Sequence, residues 1–340
     1  MINTPTFADL GLSAQTIQAI ENKGFIHPTG IQATCIPLLL KDRVDVIGQA
    51  QTGTGKTAAF GLPILELVEE RLNAVQALIL APTRELALQS AEEILSLKGG
   101  RNLEIAAVYG GAAIVNQLHQ LKKGVHVVVG TPGRILDHLR RGSLVLDQLK
   151  FLVLDEADEM LDMGFLEEIE AIMARTPKEK RTLCFSATMP DPIRRLAERY
   201  MDKPQVVRIA DETFTTDLTR QLFVEVRESD KFEALTRFID IEEKFYGIVF
   251  CRTKLQCDEV GQKLIARGYH AEALHGDLSQ KQRESILNRM RTRQLAIIVA
   301  TDVAARGIDI SALTHVINYN LPEDPEAYIH RIGRTGRAGK

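Results

Sequence analysis

Short runs of valine, isoleucine and leucine alternate with longer stretches of helical periodicity along almost the whole chain, and this alternation limits the fold more than any other feature. "VDVIG", "ALILA", "IAAVYG", "HVVVG", "FLVLD" and "TLCFSA" read as fully buried strands. Between them lie stretches such as "TRELALQSAEEILSLKG", whose apolar residues recur on one helical face. Strands apolar on both faces, separated by crossover helices, predict a mostly parallel sheet covered on both sides. A polar stretch, "RIADETFTTDLTRQ", interrupts the pattern; "YGIVFCRT", "HAEALHG", "LAIIVATD" and "HVINYN" then resume it. The expectation is an α/β chain of two tandem units, residues 1–208 and 218–340, joined by a linker at 209–217. Length agrees, because 340 residues exceed what one core usually serves.

Composition excludes several classes. No apolar stretch approaches the roughly 20 residues of a membrane span, and "MINTPTFADLGLS" carries no basic run followed by an apolar core, so neither a membrane segment nor a signal peptide is expected. The four cysteines, Cys35, Cys184, Cys251 and Cys257, form no C-x-x-C pair and read as buried free thiols of a reducing, cytoplasmic compartment. Net charge is −3. A nucleic-acid site would therefore have to be a local groove rather than a basic surface. The stretch Lys281–Lys340 has ten Lys/Arg against six Asp/Glu, which a solvated face explains as well as a phosphate site does.

In open parallel sheets, ligands bind beyond the carboxyl ends of the strands, and the unusual clusters of this chain sit there. "AQTGTGKTAAFG" (Ala50–Gly61) follows the strand "VDVIG" and opens a helix, "KTAAFGLPILELVEERL". That is the context of a phosphate-binding loop. Gly53 and Gly55 can take positive φ and bring N–H groups to phosphate oxygens, and the helix N-terminus adds about half a positive charge. Lys56 would reach the β- and γ-phosphates and Thr57 would hold magnesium. The first position of the loop is Ala50 rather than glycine, and nothing in the phosphate cradle needs glycine there. The competing reading is a Gly-rich turn with a surface lysine. A second acidic element supports the loop. In "KFLVLDEADEM", Asp155 ends a buried strand as a magnesium-linked aspartate should, and Glu156 could orient or deprotonate a water. "DEAD" by itself would also suit a solvated helix start.

With both elements in place, the chain resembles a DEAD-box RNA helicase of superfamily 2, of bacterial type. The box is Asp155, Glu156, Ala157 and Asp158, and the family's A-x-x-G-x-G-K-T loop accounts for Ala50. The resemblance implies two tandem RecA-like domains, ATP and Mg²⁺ as cofactors, and RNA as partner. By resemblance, "GFIHPTGIQ" is a Q motif in which Phe25 stacks on adenine and Gln32 reads its edge, while Ala50, Gln51, Thr52, Gly53, Thr54, Gly55, Lys56 and Thr57 form the nucleotide loop. Phe7 resembles the family's upstream aromatic. Pro82 and Arg84 of "PTRELA", the Gly110–Gly111 pair, and Thr131 and Arg134 of "TPGR" resemble RNA-contacting motifs. Ser186 and Thr188 of "SAT", with Asp158 and His330, resemble the groups that couple hydrolysis to strand separation. In the second half, Arg252, Thr253, Gly276, Gln280, Arg283 and Thr301 match RNA-side motifs. Asp302, Arg306, Gly307, Asp309 and Arg331 match the remaining pattern, with Asp309 on the nucleotide. Arg334 and Arg337 match arginines that touch the triphosphate, a role worth about 10³–10⁵ in rate.

The expected activity is RNA-stimulated ATP hydrolysis coupled to domain closure and local, non-processive melting of short duplexes. The alternative is an ATP-gated RNA clamp or scaffold with weak turnover. Aromatic residues are only 5% and tryptophan is absent, so backbone recognition with little sequence preference is expected rather than base stacking. The run stops at "GRTGRAGK", where the resemblance implies another strand and helix, so the second domain is expected to be incomplete.

Overall fold

The computed structural model describes residues 5–51, 53–209, 219–305, 310, 313–322, 325–333 and 335, with the main chain alone at 325, 326, 329 and 330. The chain divides into two compact units, Met1–Ala210 and Asp211–Lys340.

The first unit holds a parallel sheet of β1 (Val46–Gln49), β2 (Ala77–Leu80), β3 (Ile105–Val108), β4 (Val127–Gly130), β5 (Phe151–Leu154), β6 (Arg181–Ser186) and β7 (Gln205–Arg208). Its spatial order is β3-β4-β2-β5-β6-β1-β7. Alternate side chains feed two apolar layers. Val46, Ile79, Val129, Val153 and Phe185 face one, and Ile47, Leu78, Leu80, Val128, Leu154 and Cys184 face the other. Both faces are thus covered, as an all-parallel sheet requires.

Three sequence expectations need correction. β3 is an edge strand with Ile105 and Ala107 half-buried, not a fully buried one, because only β4 flanks it. β7 was not anticipated: "QVVR" exposes three of its four residues, so it lacks the apolar signal of a central strand. It is held by backbone pairing to β1 alone. The helix after the glycine loop ends at Leu67, short of "VEERL". There the Gln76 amide takes over the chain, accepting from Glu69 N at 3.0 Å and donating to Glu69 O at 2.8 Å and Leu72 O at 3.2 Å. Those bonds substitute for helical ones.

The second unit holds β8 (Gly247–Phe250), β9 (Ala271–Leu274), β10 (Ile297–Ala300) and β11 (His315–Asn318), parallel and ordered β11-β8-β10-β9. Ile248, Phe250, Ile298 and Leu274 pack on one face; Val249, Cys251, Ile297 and Val299 pack on the other. All four cysteines are buried and free. Burial pushes the thiols of Cys35 and Cys184 up to about 12, which leaves them inert. Among the described residues no helix is long and apolar enough to cross a membrane.

Candidate functional site

Six chemistry-bearing clusters of the first unit each leave the carboxyl end of a different strand, while Phe25 and Thr29–Gln32 come before β1. The sheet order sorts them into two neighbouring groups. Pro82–Arg84, Gly110–Gly111 and Thr131–Arg134 follow β2, β3 and β4, which are adjacent. The glycine loop, the DEAD box and Ser186–Thr188 follow β1, β5 and β6, also adjacent, with β6 in the middle.

The glycine loop is built as a cradle. Ala50 extends β1, donating its N–H to Ser186 O at 3.1 Å, so its backbone needs no left-handed conformation. Gly53 and Gly55 do need it, at φ 81° and 83°. A Cβ on Gly55 would stand 2.2 Å from Gln32 Nε2. Two bonds clamp the loop from the segment Thr29–Gln32: Thr29 Oγ1 donates to Thr54 O at 2.7 Å, and Gln32 Nε2 donates to Gly55 O at 3.1 Å. Gln32 also accepts from Thr29 N at 3.0 Å, so it caps its own helix, Gly30–Lys41, while holding the loop. Phe25 lies half-buried against the core, with Lys23 Nζ 5.6 Å from its ring centre. Gln51 and Thr54 flank the loop, joined by a 2.7 Å bond from Thr54 Oγ1 to Gln51 O. Thr57 is half-buried in the first turn of Lys56–Leu67.

Lys56 Nζ is buried without a hydrogen-bond partner. A buried ammonium is costly unless an anion completes it. Together with the N–H-lined cradle, it fits a polyphosphate. Asp155 is 2% exposed at the end of β5. Burial pushes its carboxyl up to about 7, against the pull of the Lys56 charge and with Glu156 raising it further. An oxygen donor held dry at that position, with the Thr57 hydroxyl near the loop, fits a hard divalent cation. Glu156 sits at φ 52°, ψ 54°, a left-handed conformation uncommon for a residue with a Cβ and frequent at functional sites.

Asp158 connects the box to the neighbouring strand. Its Oδ2 accepts from Ala187 N at 3.0 Å, Thr188 N at 2.8 Å and Thr188 Oγ1 at 3.0 Å, and its own N–H donates to Ser186 Oγ at 3.3 Å. Ser186, Thr188 and Asp158, expected as coupling residues, are therefore one bonded unit; the side chain of His330 lies outside the described residues.

The other group forms a polar ledge. Arg84 stacks on Tyr109, 4.5 Å from the ring centre, beside the exposed Gly110 and Gly111, and Gly111 has φ 79°. Pro82 is buried before the helix Arg84–Leu97. Thr131 precedes Pro132–Arg140, a helix with proline at its start, and Arg134 projects from the first turn. Arg134 donates to Gln117 Oε1 at 2.9 Å and Ala112 O at 3.3 Å.

In the second unit the same rule applies. Arg252 follows β8, His275 and Gly276 follow β9, and Thr301 follows β10. Gln280 and Arg283 lie in the first turn of Gln280–Arg291, capped by Ser279, and Arg283 donates to Ala304 O at 3.2 Å. A Cβ on Gly276 would meet nothing within 4 Å, so that loop is open. Thr52, Arg306, Gly307, Asp309, Arg334 and Arg337, and nearly all of the expected linker 209–217, lie outside the described residues.

The family model described as DEAD/DEAH box helicase matches residues 29–196, and that described as helicase conserved C-terminal domain matches residues 230–339. The DEAD-box ATP-dependent RNA helicase CshA of Geobacillus kaustophilus is 55% identical over 335 residues, covering 98% of this chain and 72% of that protein. The chain belongs to the DEAD-box helicases. The corresponding CshA of Listeria monocytogenes is 53% identical, and this helicase chain spans 98% of itself but only 64% of that relative's length. Among solved structures, S. cerevisiae Dbp5 bound to RNA and ADP BeF3 aligns with a TM-score of 0.88 at 34% identity, covering 98% of this chain and 87% of that one. A DEAD box protein from Methanococcus jannaschii aligns with a TM-score of 0.61 at 50% identity, covering 98% and 90%. These likenesses agree with the tandem RecA-like fold.

Sequence reasoning missed two groups in this helicase. Gln117 and His138 are buried polar residues behind the ledge, yet in "IVNQLHQLKK" and "GRILDHL" they look like ordinary helix positions. Thr29 offered only a capping signal. Arg331, which the sequence already matched to the family pattern, is 3% exposed, pairs both oxygens of Asp302 at 2.5 and 2.7 Å and bonds Asn318 and Asn320, a structural tie between β11 and the loop after β10.

Proposed function

We propose that the chain hydrolyses ATP on the β5–β6–β1 side of the first sheet edge and binds RNA backbone on the β3–β4–β2 side, each ligand strengthening the other's binding. The observation that carries this reading is the DEAD-box Asp158 bonded through one oxygen to Ala187 and Thr188, on the strand that separates the loop strand from the box strand. A shift of the box loop must strain that joint, so a change at the nucleotide is felt at once by Ser186–Thr188, the segment assigned to coupling. Lys56 and the loop N–H groups would hold the polyphosphate, and Glu156 would orient the attacking water. Magnesium, held by Thr57 and Asp155, would neutralise phosphate charge. Phe25 and Gln32 are the residues proposed for the base, and Gln32 is already engaged with the loop on its amide. Arg334 and Arg337 are assigned to the triphosphate by family resemblance alone. On the ledge, Pro82, Arg84, Gly110, Gly111, Thr131 and Arg134 offer guanidinium, hydroxyl and N–H donors suited to phosphates and sugars. Arg252, Gly276, Gln280, Arg283 and Thr301 offer the same in the second unit.

Melting three or four pairs at about 1.4 kcal/mol per step needs roughly 5 kcal/mol, taking DNA stacking as a guide. A differential affinity that carries closure from 1:99 to 99:1 amounts to about 5.5 kcal/mol, enough for one such event per closure, which favours local opening of short duplexes over long translocation. Free buried thiols suit a cytoplasmic setting.

The test is steady-state ATPase activity with and without single-stranded RNA, beside displacement of a short duplex. RNA should stimulate turnover, and Glu156→Gln should abolish turnover while retaining ATP binding. RNA-insensitive turnover would refute the coupling, and unchanged turnover in Glu156→Gln would refute the role given to that residue.

A further inference from the structure

Gln117 lies behind the ledge, 5% exposed, in the helix Ile114–Lys123. Its amide is fully directed. Nε2 donates to Tyr109 O at 3.0 Å, while Oε1 accepts from Arg134 Nη1 at 2.9 Å and from His138 Nε2 at 3.1 Å. Arg134 can only donate and the Tyr109 carbonyl can only accept, so the amide has a single satisfactory orientation. His138 is fully buried, and burial together with the Arg134 charge lowers its pKa, which keeps the ring neutral. With its proton on Nε2 for Gln117, its Nδ1 accepts from Ser143 Oγ at 2.8 Å. One buried amide thus joins the backbone entering Gly110–Gly111 to the guanidinium of Arg134.

We propose that Gln117 is a positioning residue for RNA binding: it fixes the Gly110–Gly111 turn and Arg134 in one mutual geometry, so that consecutive phosphates of a single strand meet both. Glutamine supplies, at this reach, an N–H for the Tyr109 carbonyl and one oxygen whose two lone pairs serve Arg134 and His138. Glutamate would face the Tyr109 carbonyl with a second acceptor; leucine or methionine would leave Arg134 only its longer, 3.3 Å bond to Ala112 O. This inference rests on the proposed RNA role of the ledge, and the experiment separates the two.

The measurement is binding of a fluorescent single-stranded oligouridylate to the full chain across a salt series, with RNA- and ATP-dependent turnover measured in parallel. Gln117→Met should raise the RNA Kd and the RNA KM about tenfold. The slope of log K against log salt should fall by about 0.7, the share of one single-strand phosphate contact. kcat at saturating RNA and the ATP KM should stay at wild-type values. Gln117→Glu keeps the acceptors for Arg134 and His138 but opposes the Tyr109 carbonyl, so it should recover the slope while leaving the RNA Kd raised. In an Arg134→Ala background Gln117→Met should add almost nothing, because the two act as one unit. Gln117→Asn, which keeps the amide without its reach, should reproduce the Gln117→Met signature and serves if that variant does not fold. The proposal is overturned if these variants bind RNA like wild type while Arg134→Ala does not. It is also overturned if their full effect persists on top of Arg134→Ala, or if kcat and ATP KM deteriorate in step with RNA affinity. Should Arg134→Ala itself leave affinity and slope unchanged, the RNA role of the ledge falls and the inference falls with it.

Discussion

Replacing Asp158 by alanine removes an acceptor oxygen that holds three donors of Ala187 and Thr188 at 2.8–3.0 Å. Bonds to an ionised group are worth about 1.5–3 kcal/mol each, so a naive sum starts near 4.5 kcal/mol. Asp158 is 6% exposed, but Ala187 and Thr188 are half-buried, and water can recover part of what their N–H groups lose. A local cost of about 3 kcal/mol remains, in the range of a broken buried polar network. Asp158→Asn retains one carbonyl oxygen that can face the two N–H groups, and should cost about 1 kcal/mol. Amide hydrogen exchange reads this directly, since 3 kcal/mol of lost local stability accelerates exchange on the order of 10²-fold. The amides of Ala187 and Thr188 should show that acceleration in Asp158→Ala and about a tenth of it or less in Asp158→Asn. Duplex displacement should fall with the same ranking while the ATP KM stays near wild type. Unaltered exchange at Ala187 and Thr188 in the alanine variant, or equal damage from alanine and asparagine, would refute the idea that this carboxylate is the joint between box and neighbouring strand.

Gly55→Ala combines a left-handed backbone, costing a side chain about 1–2 kcal/mol, with a Cβ 2.2 Å from Gln32 Nε2. ATP affinity by calorimetry should fall at least about tenfold, whereas in a Gln32→Ala background the same change should cost clearly less than it does in wild type, and an equal cost would mean the clash is not the cause. Arg331→Ala strips Asp302, Asn318 and Asn320 of their shared donor. It should lower the stability of the second unit by about 2–3 kcal/mol in urea unfolding, with Arg331→Lys nearly as damaging because a single ammonium cannot span both Asp302 oxygens. Burial pushes the Glu66 carboxyl up, but bonds from Thr16 and Ser13 and the Arg101 charge outweigh it and hold the group below its ordinary value. A lowered folded-state pKa means stability fully present above the unfolded value of about 4.3 and lost as pH falls through the folded one. The stability gap between wild type and Glu66→Gln should therefore be widest at neutral pH and close under acid, and a pH-independent gap would contradict this.

The period of the apolar pattern determined a good deal without coordinates. A two-sided apolar run such as "FLVLD" can be satisfied only between two covering layers, so parallel sheets and the two-unit division followed from burial alone. The glycine loop and the box were legible because their chemistry is local: a few adjacent residues carry the N–H groups, the lysine and the carboxylates. What only the tertiary structure decided is which of these local pieces stand side by side. Parallel strands are joined by crossovers, so chain order says nothing about spatial order. β6, late in this unit, enters between β5 and β1 and so brings Ser186–Thr188 onto Asp158. β7 escaped notice because an edge strand can be held by backbone bonds with one buried side chain of four. Gln117 escaped for a related reason. In sequence it is indistinguishable from Gln120, three residues on and exposed, and only the packing of its helix against β3 and the approach of Arg134 and His138 turn one of the two into a buried hub. Local pattern encodes the burial of apolar runs; long-range packing alone encodes which polar residues join them, and against what.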